Sequence, residues 1–260
     1  MVLKFNKLVK RKIDCYYSTM VISHRGRKTG EKENSIAAFE KAIKMGVEGI
    51  ECDVRLTSDN KVIIFHDRSV RKIGKKQLIS RTSFKDLSGI LSADNKLLTL
   101  NELFEYIKQK KLPFFLEVKN TSHVLVEELA KKINSENLWE YVHIVGFSLF
   151  IRNALRLQSK YPKLQVMQFV NNPLYSFIRL PKKSYGVFLG WIDQWRGSQL
   201  LIQKLVSQKR LIKLKELYEK NNFKVMAGVI NNEKGLNYFK NARITNIVTD
   251  EIALAKKILK

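Results

Sequence analysis

The sequence of 260 residues contains only two cysteines, Cys15 and Cys52, and four prolines. Two cysteines cannot build the disulfide framework of a small secreted protein, and their spacing does not match that of a zinc site. The sequence also lacks the roughly eighteen consecutive apolar residues that a transmembrane helix requires. A reducing compartment agrees with this composition, and we expect a cytoplasmic protein.

Acidic residues are scarce as well. The chain has 24 Asp and Glu against 48 Lys and Arg, which gives a formal net charge of +24. Such a charge favours anionic partners, namely nucleic acids, acidic lipid surfaces or small phosphates. Residues 1–19 form a basic lead-in that lacks the apolar segment of a secretory signal. The basic surface is compatible with peripheral contact with an anionic membrane.

Hydrophobic patterning predicts an α/β fold. From Met20 onward the sequence alternates between short apolar strands and amphipathic helices, with about eight strands, most of them followed by a helix. Eight such units in this length indicate a (β/α)8 TIM barrel over residues 20–260. The polar, basic stretch 67–96 after the second strand is predicted to be a small insertion or lid.

One stretch, from Glu51 to Asp67, combines acids with an alternating pattern. Period-two alternation puts Glu51 and Asp53 on one strand face and Cys52 on the other, where it should join the outer packing of the barrel. A turn with Asp59 and Asn60 at its tip would give a two-residue hairpin. The resulting register predicts that Asp53 lies opposite His66.

Polar side chains fall at the ends of several predicted strands, which is where barrels build their catalytic sites. Three carboxylates would suit a hard divalent cation, Mg²⁺ or Ca²⁺. Two imidazoles could exchange protons near neutral pH, and two basic groups could contact a phosphate. These residues are Glu51, Asp53 and Glu117, then His24 and His66, and finally Arg25 and Lys119. Together they predict metal-assisted cleavage of a phosphodiester.

The motifs His24-Arg25-Gly26, Glu33-Asn34-Ser35, Glu51-Cys52-Asp53, His66-Asp67, Leu116-Glu117-Val118-Lys119 and Thr249-Asp250 occur in this order. As a set they resemble the glycerophosphodiester phosphodiesterase family of TIM-barrel enzymes. The resemblance covers nearly the whole chain from Val21. It implies metal-dependent hydrolysis of glycerophosphodiesters to glycerol 3-phosphate and an alcohol.

The resemblance also assigns roles to individual residues. By similarity, Glu51, Asp53 and Glu117 match the metal ligands, His24 and His66 the acid and base, and Arg25 and Lys119 the phosphate contacts. Glu33 and Asn34 match the polar rim of the active site.

The chain departs from the family where a Trp-Thr-Val-Asn strand is usual, because it has Ala227-Gly228-Val229-Ile230 there. An aromatic wall of the pocket is therefore missing, and Trp191 or Trp195 is expected to replace it.

Two alternatives remain open at the level of sequence. The first is a phospholipase D-like enzyme that acts on lysophospholipids or related diesters, which the basic surface and the apolar loop 174–178 would suit. The second is a non-catalytic basic barrel that binds nucleic acid or an anionic membrane. The sequence has neither zinc-finger spacing nor an RNA-binding aromatic motif, so we expect no nucleic-acid partner.

Overall fold

The computed structural model describes residues 19–72, 75–90, 96–170, 172–181, 184–191 and 197–260. Of the predicted lead-in, residues 1–18 lie outside the described residues, and so does Trp195. The strands are β1 (Met20–His24), β2 (Gly49–Leu56), β3 (Val62–Ile64), β4 (Ser69–Lys72), β5 (Lys75–Leu78), β6 (Leu98–Thr99), β7 (Phe114–Val118), β8 (Val142–Phe147), β9 (Val166–Phe169), β10 (Gly186–Leu189), β11 (Lys224–Ala227) and β12 (Asn246–Thr249).

The helices lie between the strands. They are α1 (Ile36–Lys44), α2 (Phe84–Ile90), α3 (Leu100–Lys110), α4 (His123–Ser135), α5 (Ser148–Leu157), α6 (Ser198–Leu205), α7 (Gln208–Lys220), α8 (Glu233–Lys240) and α9 (Ile252–Leu259). In the part of the chain that the structure describes, none of them has the length and apolar character needed to cross a membrane.

Eight of the strands close into a parallel barrel, which confirms the predicted fold. The sheet runs from β1 through β12, β11, β10, β9, β8 and β7 to β2, and β2 pairs back onto β1. In the closing register Ile22 faces Gly49 and His24 faces Glu51. Because all eight strands are parallel, their carboxyl ends share one rim of the barrel.

The core has two layers because successive strand residues point to opposite faces. The barrel interior is filled by one set of buried side chains, namely Ile22, Phe115, Val145, Met167, Phe188, Met226 and Val248. A larger layer packs the outer strand faces against the helices. Cys52 belongs to this outer layer and is completely buried, as predicted.

An insertion separates β2 from β7. It contains the β4–β5 hairpin and α2, and its own small core consists of Ile63, Val70, Ile79, Leu87 and Leu97. Antiparallel pairing extends beyond the range 67–96 on both sides, because β3 pairs with the end of β2 and β6 pairs with β3. The insertion therefore continues the barrel sheet from the carboxyl end of β2.

The predicted register of the β2–β3 hairpin is wrong by one residue. The ladder pairs Leu56 with Val62 and Val54 with Ile64, so the backbone of Asp53 meets Phe65, whose N–H donates to the Asp53 carbonyl at 3.0 Å. The turn has three residues instead of two, because Asn60 adopts a left-handed conformation with φ 58°. His66 therefore lies beyond the ladder.

Helix starts agree with the sequence. Ser35 caps α1 by accepting a hydrogen bond from the Ala38 amide. Thr99 and Glu102 form a capping box at the start of α3, in which each side chain bonds the backbone of the other residue. These caps fix where the helices begin on the outside of the barrel.

Candidate active site

Three buried carboxylates meet at the carboxyl ends of β2 and β7. Glu51 and Asp53 occupy the β2 face opposite Cys52, and the strand register places Asp53 beside Glu117. One oxygen from each carboxylate lies within 4.8 Å of the other two. All three side chains are buried. The strand pairing therefore creates a compact acidic cluster, the carboxylate cluster, at the rim where barrels place their active sites.

Burial controls the protonation of this cluster. Burial raises the pKa of Glu51 well above its usual range, and the charges of Asp53 and Glu117 add to the effect. Burial also raises the pKa of Glu117, more than the neighbouring Lys119 lowers it. For Asp53, burial alone would raise the pKa, but Lys119 and Arg25 outweigh it and hold the pKa below its usual range. Arg25 and Lys119 therefore do not fully compensate the burial of Glu51 and Glu117.

The cluster fits a divalent cation. Both oxygens of Glu51 are buried and have no hydrogen-bond partner among the described residues. Buried carboxylate oxygens are costly unless a cation or donor compensates them. The donor set consists of oxygen atoms alone, and these are the ligands that Mg²⁺ and Ca²⁺ prefer.

Two basic side chains border the carboxylate cluster. The Arg25 Nε lies 2.9 Å from Asp53 Oδ2, and the Lys119 Nζ lies 2.6 Å from Glu117 Oε2 and 3.0 Å from Asp53 Oδ1. Arg25 follows β1 directly and has φ 60°, while its N–H donates to the Glu51 carbonyl at 2.8 Å. A left-handed arginine is uncommon, and such conformations cluster at functional sites.

Asn34 supports the same cluster from the loop before α1. Its Nδ2 donates to Asp53 Oδ2 at 2.9 Å, and its Oδ1 accepts from the Asp53 amide at 3.3 Å. Asn34 is also left-handed, with φ 58°. Asn34 therefore holds both the side chain and the backbone of Asp53 in place.

His24 lies at the end of β1, between two acids. Its Nδ1 is 2.8 Å from Asp250 Oδ1, and its Nε2 is 3.7 Å from Glu51 Oε2. Burial lowers the pKa of His24, although the hydrogen bond to Asp250 opposes this effect. An acid that holds one ring nitrogen fixes the tautomer and orients the other nitrogen, so Nε2 is presented to the carboxylate cluster.

His66 lies on the insertion side of the same cluster. Its Nδ1 is 2.8 Å from Asp67 Oδ1, and its side chain is 25% exposed. The residue before it, Phe65, donates its N–H to the Asp53 carbonyl at 3.0 Å, so His66 directly follows a residue that is bonded to β2. The His66 carbonyl accepts a hydrogen bond from the Arg55 Nε at 2.9 Å, so β2 also holds this loop. The two imidazoles thus come from different elements, His24 from β1 and His66 from the loop after β3.

Comparison with known proteins identifies the family. Residues 24–254 match the model of the Glycerophosphoryl diester phosphodiesterase family. The chain belongs to this family.

Individual relatives agree with the family assignment. A glycerophosphodiester phosphodiesterase of Caldanaerobacter subterraneus is 29% identical over 161 residues, which cover 57% of this chain and 66% of that one. Human Lysophospholipase D GDPD1 is 28% identical over 156 residues, 53% of this chain and 49% of that one. The chain therefore spans about two thirds and about half of the lengths of these two relatives.

A solved structure shares the fold. A phosphodiesterase of Oleispira antarctica, determined in complex with sn-glycerol-3-phosphate, superposes with a TM-score of 0.68 at 19% identity. The superposition covers 92% of this chain and 96% of that one.

In this phosphodiesterase-family chain, Asp250 and Asn231 are site residues that the predicted set did not include. The Asn231 Nδ2 donates to Asp250 Oδ2 at 2.7 Å, and its Oδ1 accepts from the Asp250 amide at 2.8 Å. Asp250 belongs to the motif Thr249-Asp250 at the carboxyl end of a predicted strand, and this position could have identified it as a site residue. Asn231 directly follows Ile230, the last residue of the segment 227–230.

The two remaining predicted rim residues differ in position. Glu33 lies at the edge of the site, with Oε2 3.2 Å from the Arg27 Nε and Oε1 3.8 Å from the Arg25 Nη1. Trp191 does not join the rim as predicted, because its ring packs in the outer layer against Phe239 at a centroid distance of 5.5 Å. The physical reason is parity: Phe188 of β10 points into the barrel, and Trp191, an odd number of residues later, joins the opposite face.

Proposed function

We propose that this chain hydrolyses glycerophosphodiesters to glycerol 3-phosphate and an alcohol, with one divalent cation, Mg²⁺ or Ca²⁺, held by Glu51, Asp53 and Glu117. The observation that carries this proposal is the pair of buried Glu51 oxygens without a hydrogen-bond partner among the described residues, beside His24. The Oleispira antarctica neighbour with bound sn-glycerol-3-phosphate supports this choice of product.

His24 is assigned as the general base. Because Asp250 accepts a hydrogen bond from Nδ1, the neutral imidazole has its lone pair on Nε2, on the side of the carboxylate cluster. A base needs this free lone pair within reach of the attacking hydroxyl or water. Asp250 acts through His24 and is a positioning residue.

His66 is assigned as the general acid. Its side chain is partly exposed at the insertion side of the site, where a leaving alcohol would reach solvent. A proton on the imidazole would neutralise the departing alkoxide as the phosphorus–oxygen bond breaks. The bound cation would supply Lewis-acid polarisation of a phosphoryl oxygen.

Arg25 and Lys119 are assigned to the phosphate. Each already contacts a carboxylate of the cluster, at 2.9 Å for Arg25 and 2.6 Å for Lys119. These contacts hold both charged groups beside the carboxylate cluster, where we expect the phosphate of the substrate to bind. The planar guanidinium of Arg25 suits two phosphate oxygens, and the ammonium of Lys119 acts as a point charge.

The decisive experiment measures release of glycerol 3-phosphate from glycerophosphocholine, before and after treatment with EDTA. We expect activity to disappear with EDTA and to return with Mg²⁺ or Ca²⁺. His24→Ala and His66→Ala should each reduce kcat by at least about a hundredfold, as is typical for the loss of an acid or base. His123→Ala, at an exposed position on α4, is the matched control. Full activity in EDTA, or in both site variants, would contradict the proposal.

A second candidate reaction uses the same site on a larger substrate. Similarity to human Lysophospholipase D GDPD1 favours hydrolysis of lysophospholipids to a lysophosphatidic acid and an alcohol. The exposed side chains of Tyr175, Phe177 and Ile178 on the active-site rim also suit a lipid-borne substrate. Rates on glycerophosphocholine and on lysophosphatidylcholine, measured with the same enzyme preparation, separate the two reactions.

A further inference from the structure

We propose that one half of the active-site rim docks on an anionic lipid bilayer. This half, the apolar rim, consists of the exposed hydrophobic residues in the loops and first helical turns after strands β7, β8, β9 and β10. The proposal rests on the proposed function for the diester that would be delivered there, but the docking itself follows from exposure and charge.

The distribution of exposed hydrophobic side chains is uneven. Among the described residues, ten large hydrophobic side chains are exposed, and seven of them lie in the loops or first helical turns after four strands that are neighbours in the barrel. These seven are Val124, Leu149, Tyr175, Phe177, Ile178, Leu200 and Leu201. Ile178 is 81% exposed and Leu200 is 62% exposed. Exposed apolar side chains that gather in one sector mark an interaction surface.

Chain direction places the whole set at the rim that carries the carboxylate cluster. Val124 is the second residue of α4, Leu149 is the second residue of α5, and Leu200 is the third residue of α6. α4 begins five residues after β7, and α5 directly follows β8. The start of α6 is held at the same rim by hydrogen bonds between Gln199 and Asn232, a residue that follows β11. Tyr175 and Phe177 belong to the short 3-10 helix Pro173–Phe177, which follows β9. The apolar rim therefore borders the mouth of the barrel on the side away from β1.

The middle of this half, from β8 to the end of β10, contains no acidic residue. From residue 141 to residue 192 the sequence has no Asp or Glu, while the described residues of this range include five basic ones: Arg152, Arg156, Lys160, Lys163 and Arg179. Two of them, Arg152 and Arg179, are exposed close in sequence to Leu149 and Ile178.

Exposed apolar side chains beside basic residues are the combination that binds anionic lipid. The apolar groups enter the boundary between headgroups and acyl chains, and the cations contact lipid phosphates. An acidic protein partner would match the charge as well, but it would not account for a diester site at the centre of the surface. A bilayer would hold a phosphodiester at the depth of the headgroups, which is where the mouth of the barrel would lie.

The test measures binding of the full chain to sedimented vesicles of phosphatidylcholine alone and of phosphatidylcholine with phosphatidylglycerol. We expect binding to the mixed vesicles and little binding to phosphatidylcholine alone. The double variant Ile178→Ser with Leu200→Ser should bind the mixed vesicles at least about tenfold more weakly, because two apolar side chains no longer leave water.

The matched control replaces two exposed hydrophobic residues at the opposite end of the barrel. Met45 follows the last turn of α1 and is 38% exposed, and Ile212 of α7 is 36% exposed beside the amino ends of β1 and β11. Met45→Ser with Ile212→Ser should bind like the parent. Equal binding by the rim variant and the parent, or equal loss in both double variants, would overturn the proposal. A dimer in gel filtration that only the rim variant abolishes would also overturn it, because the surface would then join two copies of the chain.

Enzyme assays distinguish this proposal from the proposed function. The rim variant should hydrolyse glycerophosphocholine in solution at the parental rate, and it should lose at least about tenfold in rate on lysophosphatidylglycerol held in vesicles. Absence of hydrolysis by the parent with intact rim-dependent vesicle binding would contradict the proposed function alone. Parental hydrolysis in both assays by the rim variant would contradict docking alone.

Discussion

His143 provides a test of the barrel interior that is independent of the chemistry at the rim. It is the second residue of β8, opposite Phe115 in the strand register, and is 5% exposed. Its ring stacks on Phe115 at a centroid distance of 4.7 Å and on Tyr185 at 5.7 Å. Its Nδ1 has no hydrogen-bond partner among the described residues. The site therefore accepts a neutral ring much better than a charged one.

Burial, with a smaller contribution from Lys224, lowers the pKa of His143 from 6.5 to about 3. In the unfolded chain the imidazole takes up a proton as the pH falls below 6.5, while in the folded protein it stays neutral until much lower pH. The unfolded state thus binds more protons between these values, so stability is fully present above pH 6.5 and is lost as the pH falls. At about 1.4 kcal/mol per pH unit, the loss due to His143 at pH 5 is about 2 kcal/mol.

The assay is urea unfolding of the parent and of His143→Gln and His143→Phe at pH 7.5, 6 and 5. Each substitution has its own constant cost in packing, so the informative quantity is how the difference in unfolding free energy changes with pH. We expect this difference to move by about 2 kcal/mol in favour of both variants between pH 7.5 and pH 5. His123→Gln controls for the removal of a surface histidine. A difference that stays constant with pH for both variants would refute the reasoning.

Three further predictions concern single contacts. Asp250→Asn should lower kcat on glycerophosphocholine by about tenfold or more with little change in KM, because the tautomer and orientation of His24 are no longer fixed. A purely structural role of Asp250 would instead lower the melting temperature. Thr99→Ala removes the capping box of α3 and should reduce the unfolding free energy by about 1 kcal/mol; an unchanged urea midpoint would contradict the assigned cap. Asn60→Val should reduce the unfolding free energy by about 1–2 kcal/mol, while Asn60→Gly is nearly neutral, since only valine is a β-branched residue forced into a left-handed conformation. Equal stability of the two variants would refute the three-residue turn.

Much of the site could be predicted because its information is local. The alternation Glu51-Cys52-Asp53 determines that both acids share one strand face, and the position of Glu117 at the end of another strand brings it to the same rim once the strands are parallel. The capping box of Thr99 and Glu102 lies within four residues and was therefore readable. The alternation of side chains along a strand and the capping of a helix are properties of short segments. They can therefore be predicted without knowing the tertiary structure.

The register of the β2–β3 hairpin was mispredicted because it depends on the length of the turn. Two-residue and three-residue turns have similar composition, and the choice depends on the backbone conformation of Asn60. A shift of one residue reverses which side chains share a face. The prediction that Asp53 lies opposite His66 failed at this step, because the residue opposite Asp53 is Phe65.

The sequence by itself determined the strand and helix order and the acids of the carboxylate cluster, because both are encoded in residue spacing. Only the tertiary structure decided which distant groups complete the site. Closure of the barrel pairs Ser23 with Thr249, and this places His24 beside Asp250, 226 residues away in the chain. It also determines that Trp191 packs outside the barrel and that the exposed apolar residues gather on one half of the rim. Such contacts depend on how strands close in space, and no periodicity within a segment specifies them.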